Sequence, residues 1–242
     1  MLSRVTVEGE VRNADGELMT DFDGEVFPIV FDREVSCRTL ANDNDSTEVD
    51  FKQQKNILYK GRTAVTGGRF SYSFIVPRDV SYHYDFAKLS HYAHSDIDQA
   101  SGQYGNIMFG GLDETVVIDE LHPKVQLFLN DSTFRNGGLT NETPTLHAIL
   151  TDSVGINAAG SGLGHDITAT LDGNSYSTVT LNDFFEPDII DSRNGTISYT
   201  LGKIGEGLHT LTLKCWNIFK FSGSATIEFY VANDKSPKIA HV

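Results

Sequence analysis

Two cysteines, a scatter of histidines and one glycine-studded acidic loop are the groups in this 242-residue chain whose types could do chemistry. A cysteine nucleophile needs a base within hydrogen-bond reach and surroundings that favour the thiolate. Cys215 falls in the series His209, Leu211, Leu213, Cys215, which projects one way from a β-strand and marks a core thiol. Cys37 follows an acidic stretch, a poor setting for a nucleophile. A disulfide between the two would have to tie separate halves of the chain together, and both are expected to be free and inert. His165 and Asp166 are adjacent, but neighbours on a strand point to opposite faces, so the carboxylate cannot orient that imidazole. One of the pair is expected to bond loop backbone at the start of a strand. The remaining histidines lack the i, i+2 or i, i+4 spacing of a zinc site. No catalytic or cofactor-binding residue is assigned.

Calcium is the more serious metal reading. It takes six to eight oxygens, roughly, from carboxylates, amides and carbonyls, and glycine-rich loops expose carbonyls. Asp152, Asn157, Asp166 and Asp172 are the candidate ligands, with Asp183, Glu186 and Asp188 of LNDFFEPD as further oxygen donors. The spacing matches no EF-hand or tandem repeat, and Asp and Asn also build turns, which is the role expected first.

The elements that must position these groups are strands. In Thr143–Gly173, Leu146, Ala148 and Leu150 alternate before the insert Asp152–Asp166, and Ile167, Ala169 and Leu171 alternate after it. Alternation of period two buries one face of a strand. The insert carries Gly155, Gly160, Gly162 and Gly164, and an inter-strand loop of this length is either functional or packed on itself.

The same periodicity runs through the chain. Val5, Val7 and Val11 share a face ahead of the turn Asn13-Ala14-Asp15-Gly16. Gly24–Asp32 reads as a strand whose Pro28 suits an edge or a bulge. The acidic, polar residues 41–50 read as a surface loop. Ile57–Thr66, Gly67-Gly68 and Arg69–Pro77 read as a hairpin. Residues 81–110 are rich in tyrosine and glycine and hard to register, with strands near Leu89–Ala93 and Ile107–Phe109. A polar seam at 113–123 precedes a restart of alternation at Lys124, followed by Val125, Leu127 and Leu129 and the loop Asn130–Thr143. Thr178–Leu181, Thr196–Leu201, His209–Trp216 and Ala225–Val231 complete about seven strands in the second half. No window has helical periodicity. The expected fold is all-β: two tandem β-sandwich domains, residues 1–118 and 119–242, joined near 115–123, the second Ig-like and ending in a linker.

A net charge of −14, shared by both halves, makes nucleic acid or an anionic membrane surface a poor partner. No apolar run approaches the ~18 residues of a transmembrane helix, and the first residues show no basic-then-apolar signal pattern. Strand alternation begins almost at Met1, as though the sequence starts partway into a longer protein. Four Asn-x-Ser/Thr sites, at Asn44, Asn130, Asn141 and Asn194, matter only in a glycosylating host. Phe184-Phe185, Tyr82, Tyr84 and Tyr92 are core or cross-strand residues first and a docking surface second.

With the strands placed, several phrases carry a resemblance. VQLFLNDSTFRNGGLTNETPTLHAILTDSVGIN, GSGLGHDITATLDG, LNDFFEPD and GEGLHTLTLKCWN resemble the C-terminal region of gingipain-like cysteine peptidases, above all the type IX secretion sortases of Bacteroidetes. In the first half VTVEGEVRNADGELMTDFDGEVFPIVFD, NILYKGRTAV and GRFSYSFIVPRDV agree in the same order. The resemblance implies a parent enzyme at the cell surface, associated with the outer membrane, that removes C-terminal signals from secreted cargo proteins and helps join the cargo to anionic lipopolysaccharide. It also implies an outer-membrane barrel partner and a Cys–His dyad in a peptidase domain upstream. This chain would then be a downstream, non-catalytic region, and its DKSPKIAHV end a linker into a further domain. The alternative is a carbohydrate- or lipopolysaccharide-binding module. A free-standing hydrolase ranks third, for want of a nucleophile or acid–base constellation.

Overall fold

A computed structural model describes residues 3–42, 47–77, 84–111, 120–159 and 164–232. The expected seam therefore lies largely outside the described residues, as do Asn44, Tyr82, Gly160, Gly162 and the DKSPKIAHV end. Among the described residues every element apart from two single 3-10 turns is a strand, so the all-β expectation holds. The chain separates into two compact units, divided between Asp119 and Glu120, with Pro187–Ser192 grouped with the first.

The first unit contains β1 (Arg4–Glu10), β2 (Gly24–Phe31), β3 (Val35–Arg38), β4 (Asp50–Gln53), β5 (Ile57–Lys60), β6 (Thr63–Val65), β7 (Arg69–Ile75), β8 (Asp85–Ser95) and β9 (Gln99–Phe109). One sheet has the order β5-β2-β8-β9, with β6 also on β2; β1 pairs with β7 alone and β3 with β4. Buried Val30, Leu58, Tyr72, Phe74 and Leu89 form the main core, with Val5, Val7 and Phe70 against it. Val11, Phe22, Val26, Val65 and Ala93 form a second cluster at one end.

Two turns behave as their residues predict. Gly67 and Gly68 both take positive φ, 56° and 72°, and the Thr66 and Arg69 backbones bond each other across them, a primed hairpin turn. Asn13 Oδ1 accepts the amides of Asp15 and Glu17 ahead of Gly16, whose φ is 82°. Pro28 departs from expectation, since β2 is a central strand with β8 on one side and β5 and β6 on the other. The reason is local. β6 pairs Gly24–Val26 and β5 pairs Ile29–Phe31, so Pro28 falls in the gap between two short partners. Its carbonyl accepts the Gly61 amide on that side, so the missing N–H also points where no ladder bond is due.

The second unit is a sandwich of two sheets. One is β10 (Lys124–Leu129), β12 (Thr145–Thr151), β16 (Gly195–Thr200) and β15 (Phe185–Pro187), paired in that order. The other is β11 (Gly138–Thr140), β18 (Ser222–Val231), β17 (Gly207–Trp216), β13 (Thr168–Leu171) and β14 (Thr178–Thr180). Leu127, Leu129, Leu146, Ala148, Leu150 and Ile197 face Ile167, Ala169, Leu211, Leu213, Ile227 and Phe229 in one core. These are the alternating positions of the sequence, on their inward faces. β11 lies inside what reads as a loop, because three residues paired parallel to β18 are too few to show alternation.

Candidate functional site

The glycine-rich insert is tied down at both ends by buried polar side chains. At its start Asp152 Oδ1 accepts the amides of Val154 and Gly155, each at 2.8 Å. Asp152 Oδ2 accepts Asn217 Nδ2 at 3.2 Å, and that amide nitrogen also donates to the Leu121 carbonyl. Asn217 is fully buried, and its Oδ1 accepts the amides of Phe219 and Phe221 at 3.1 and 2.9 Å. At the far end buried Asn182 accepts the Ile167 amide through Oδ1 and donates to the Ala158 carbonyl through Nδ2. Between these anchors Ile156 and Ala158 enter the core, and Asn157 N–H bonds the Trp216 carbonyl. Gly155 takes φ of 120°, open to glycine alone, while its amide bonds Asp152 and its carbonyl accepts Ile218 N–H.

The four calcium candidates are not brought to one point. Asp166 and Asp172 lie beyond opposite ends of the four-residue strand β13, which by itself separates them by roughly 10 Å. Asp152 spends both oxygens on the turn and Asn217. Asp172 accepts Thr210 N–H through Oδ1 and faces His209 Nδ1 at 2.8 Å through Oδ2. Burial works against its ionised form, but the Thr210 and His209 bonds outweigh it and hold its carboxyl below the usual range. In LNDFFEPD, Asn182 turns into the core and Asp188 caps the amides of Ile190 and Asp191. Among the described residues no three His, Cys, Asp or Glu side chains are placed to hold a metal ion.

The thiols differ. Cys215 is fully buried on the inward face of β17, and burial pushes its thiol up to about 12. Cys37 is half-buried on β3, with Sγ 4.0 Å from Gln53 Oε1. Both are free. His165 packs its ring edge-on to Trp216, centroids 4.7 Å apart, and its buried Nδ1 has no partner among the described residues. The aromatic pair divides: Phe185 is buried, while Phe184 is partly exposed and packs on Tyr199.

A concavity lies elsewhere, in the first unit. A cleft of about 680 Å³ runs between β1 and β9. Val26, Leu89 and Ala93 floor it, with Val5, Val7 and Phe70 on one flank and Tyr104 and Ile107 on the other. His91 sits within it, Nε2 2.8 Å from the Tyr72 hydroxyl and its ring 5.4 Å from that of Phe70. Desolvation lowers the His91 imidazole from its ordinary value and raises the Tyr72 phenol, so the pair is neutral at physiological pH. Opposite His91 stands Gly102, whose missing side chain leaves open space. Sequence reasoning missed this cleft because residues 81–110 offered no clear register. Gly102 and Gly105 inside a long strand were the available signal.

No protein-family profile and no curated protein matches the chain. Among solved structures, the crystal structure of dimeric latent PorU from Porphyromonas gingivalis matches 98% of the chain at 35% identity, with a TM-score of 0.53. The match takes in 22% of that protein, so this chain spans about a fifth of its length. Over that 98% the chain is PorU-like.

Three outcomes follow from this geometry. Native protein labels with one equivalent of an aromatic disulfide reagent, at Cys37, and Cys215 reacts only on unfolding; fast labelling of Cys215 in the native state contradicts its burial. Asn217→Ala strands the Phe219 and Phe221 amides and lowers unfolding free energy by about 3 kcal/mol in urea titration. Asp172→Asn costs about 0.5 kcal/mol at pH 7, a small figure because the carboxylate is almost half exposed. Because the folded-state value is lowered, the wild-type advantage is full above the unfolded carboxyl range and disappears as pH falls through the folded value, so the two proteins converge in acid melts.

Proposed function

We propose that this PorU-like region is a non-catalytic β-sandwich part of a gingipain-like cell-surface sortase of the type IX secretion system. The observation that carries the reading is the 35% identity to PorU across 98% of the chain. In this reading the nucleophile lies in a separate peptidase domain of the longer protein, which removes C-terminal signals from secreted cargo. The two units, the second taken as Ig-like, hold that enzyme together and present surfaces to an outer-membrane component, to cargo and to anionic lipopolysaccharide on the outer face of the cell. The chemistry of the chain supports this division of labour. Cys215 is a core thiol, and Asp152 of the glycine-rich loop and Asn217 beside it are used to fix the backbone.

The gene upstream of codon 1 is expected to encode, in frame, a peptidase domain with a Cys–His dyad. The purified 242-residue chain is expected to leave fluorogenic peptides uncleaved. Peptidase activity of the isolated chain that is lost in Cys37→Ala or Cys215→Ala would overturn the reading. So would a stop codon and secretion signal immediately before codon 1.

A further inference from the structure

The cleft of the first unit is the place where its strands do not close on one another. Among the described residues β1 has β7 on one side and no paired strand on the other, and β9 ends the order β5-β2-β8-β9. Consecutive residues of both strands, Val5–Glu10 and Ala100–Tyr104, border the same opening. Two rows of unpaired backbone N–H and C=O groups therefore flank one apolar trough.

The inward face of β9 shows that the trough is an uncovered core position. Register pairs Leu89 with Tyr104, His91 with Gly102 and Ala93 with Ala100, and paired residues share a face. Leu89 is 3% exposed, yet Tyr104 on the same inward face is 54% exposed. A Cβ on Gly102 would meet nothing within 4 Å.

We propose that this cleft binds an extended peptide strand from a partner protein, with apolar side chains facing inward and lysine or arginine facing outward. A helix satisfies its own backbone and cannot pair with either edge, whereas a strand pairs with both. The outward face of β1 is Arg4, Thr6, Glu8 and Glu10, with Glu8 the carboxylate that borders the cleft unpaired among the described residues. Arg12 and Arg69 already hold Glu10, while Glu8 has no ion pair among the described residues. A strand beside β1 sets its outward side chains next to these, so a cation opposite Glu8 is favoured and a carboxylate is not.

The test is fluorescence anisotropy on the full chain with a labelled nonapeptide, acetyl-Thr-Val-Lys-Val-Thr-Val-Lys-Val-Thr-amide. Two control peptides replace both lysines by glutamate or the central residue by proline. The lysine peptide is expected to bind in the micromolar range and each control at least about fivefold more weakly. Glu8→Lys should weaken the lysine peptide by about fivefold and improve the glutamate peptide. Gly102→Trp, placed in open space, should abolish binding while the melting curve stays cooperative; if it unfolds the chain, Glu8→Lys decides alone. Absence of binding, equal binding of the controls, or binding unaffected by Glu8→Lys overturns the proposal. So does a concentration-dependent dimer in sedimentation velocity that Gly102→Trp dissociates, which would make a second copy the occupant.

Discussion

The second unit depends on one buried amide. Asn217 stands in the turn between β17 and β18, fully out of solvent, and its side chain makes four hydrogen bonds. Two close its own turn through Phe219 and Phe221, one reaches Asp152 at the mouth of the glycine-rich insert, and one reaches the Leu121 carbonyl ahead of β10. A buried polar group that is fully satisfied costs little, and one left without partners costs several kcal/mol, roughly. This arrangement therefore admits few alternatives. Asn182 performs the same service between Ala158 and Ile167, and Ile156 and Ala158 pack with the sheet residues.

The two units treat their strand edges differently. In the second, two sheets lie face to face and their inward residues cover one another, so Leu129, Leu146, Leu213 and Phe229 are wholly excluded from water. In the first, the residues bordering β1 and β9 stay half-covered although their side chains point inward. β9 carries a register shift opposite Ala87–Leu89 and two glycines, devices that bend an edge and keep it slender. The cleft follows from the backbone: a row of strand ends with an apolar floor and a neutral Tyr72–His91 pair within it.

Legibility varied with how local each cause was. Gly67-Gly68 and Asn13–Gly16 were readable because their turns need positive φ or a side-chain acceptor within a few residues. Cys215 was readable as a core thiol because alternation alone puts it with Leu211 and Leu213. Pro28 was misread, since its fit to a central strand rests on where β5 and β6 happen to stop. The acidic loop residues suggested oxygen ligands because Asp152 and Asp172 look alike in sequence whether they cap turns or bind cations. Nothing local in the sequence marks Asn217 as buried. Asn-Ile-Phe-Lys reads as an ordinary surface turn until other segments cover it.

The sequence by itself determined the strand content, the inward faces and the tight turns, because period-two alternation and glycine stereochemistry act within a few residues; the PorU-like character rests instead on particular phrases such as GSGLGHDITATLDG and LNDFFEPD. Only the tertiary structure decided which polar residues are buried anchors, that Asp166 and Asp172 lie at opposite ends of a strand, and that β1 and β9 leave a gap. Those depend on which strands become neighbours, and pairing between residues far apart in the chain is set by the summed burial of both faces rather than by any local pattern.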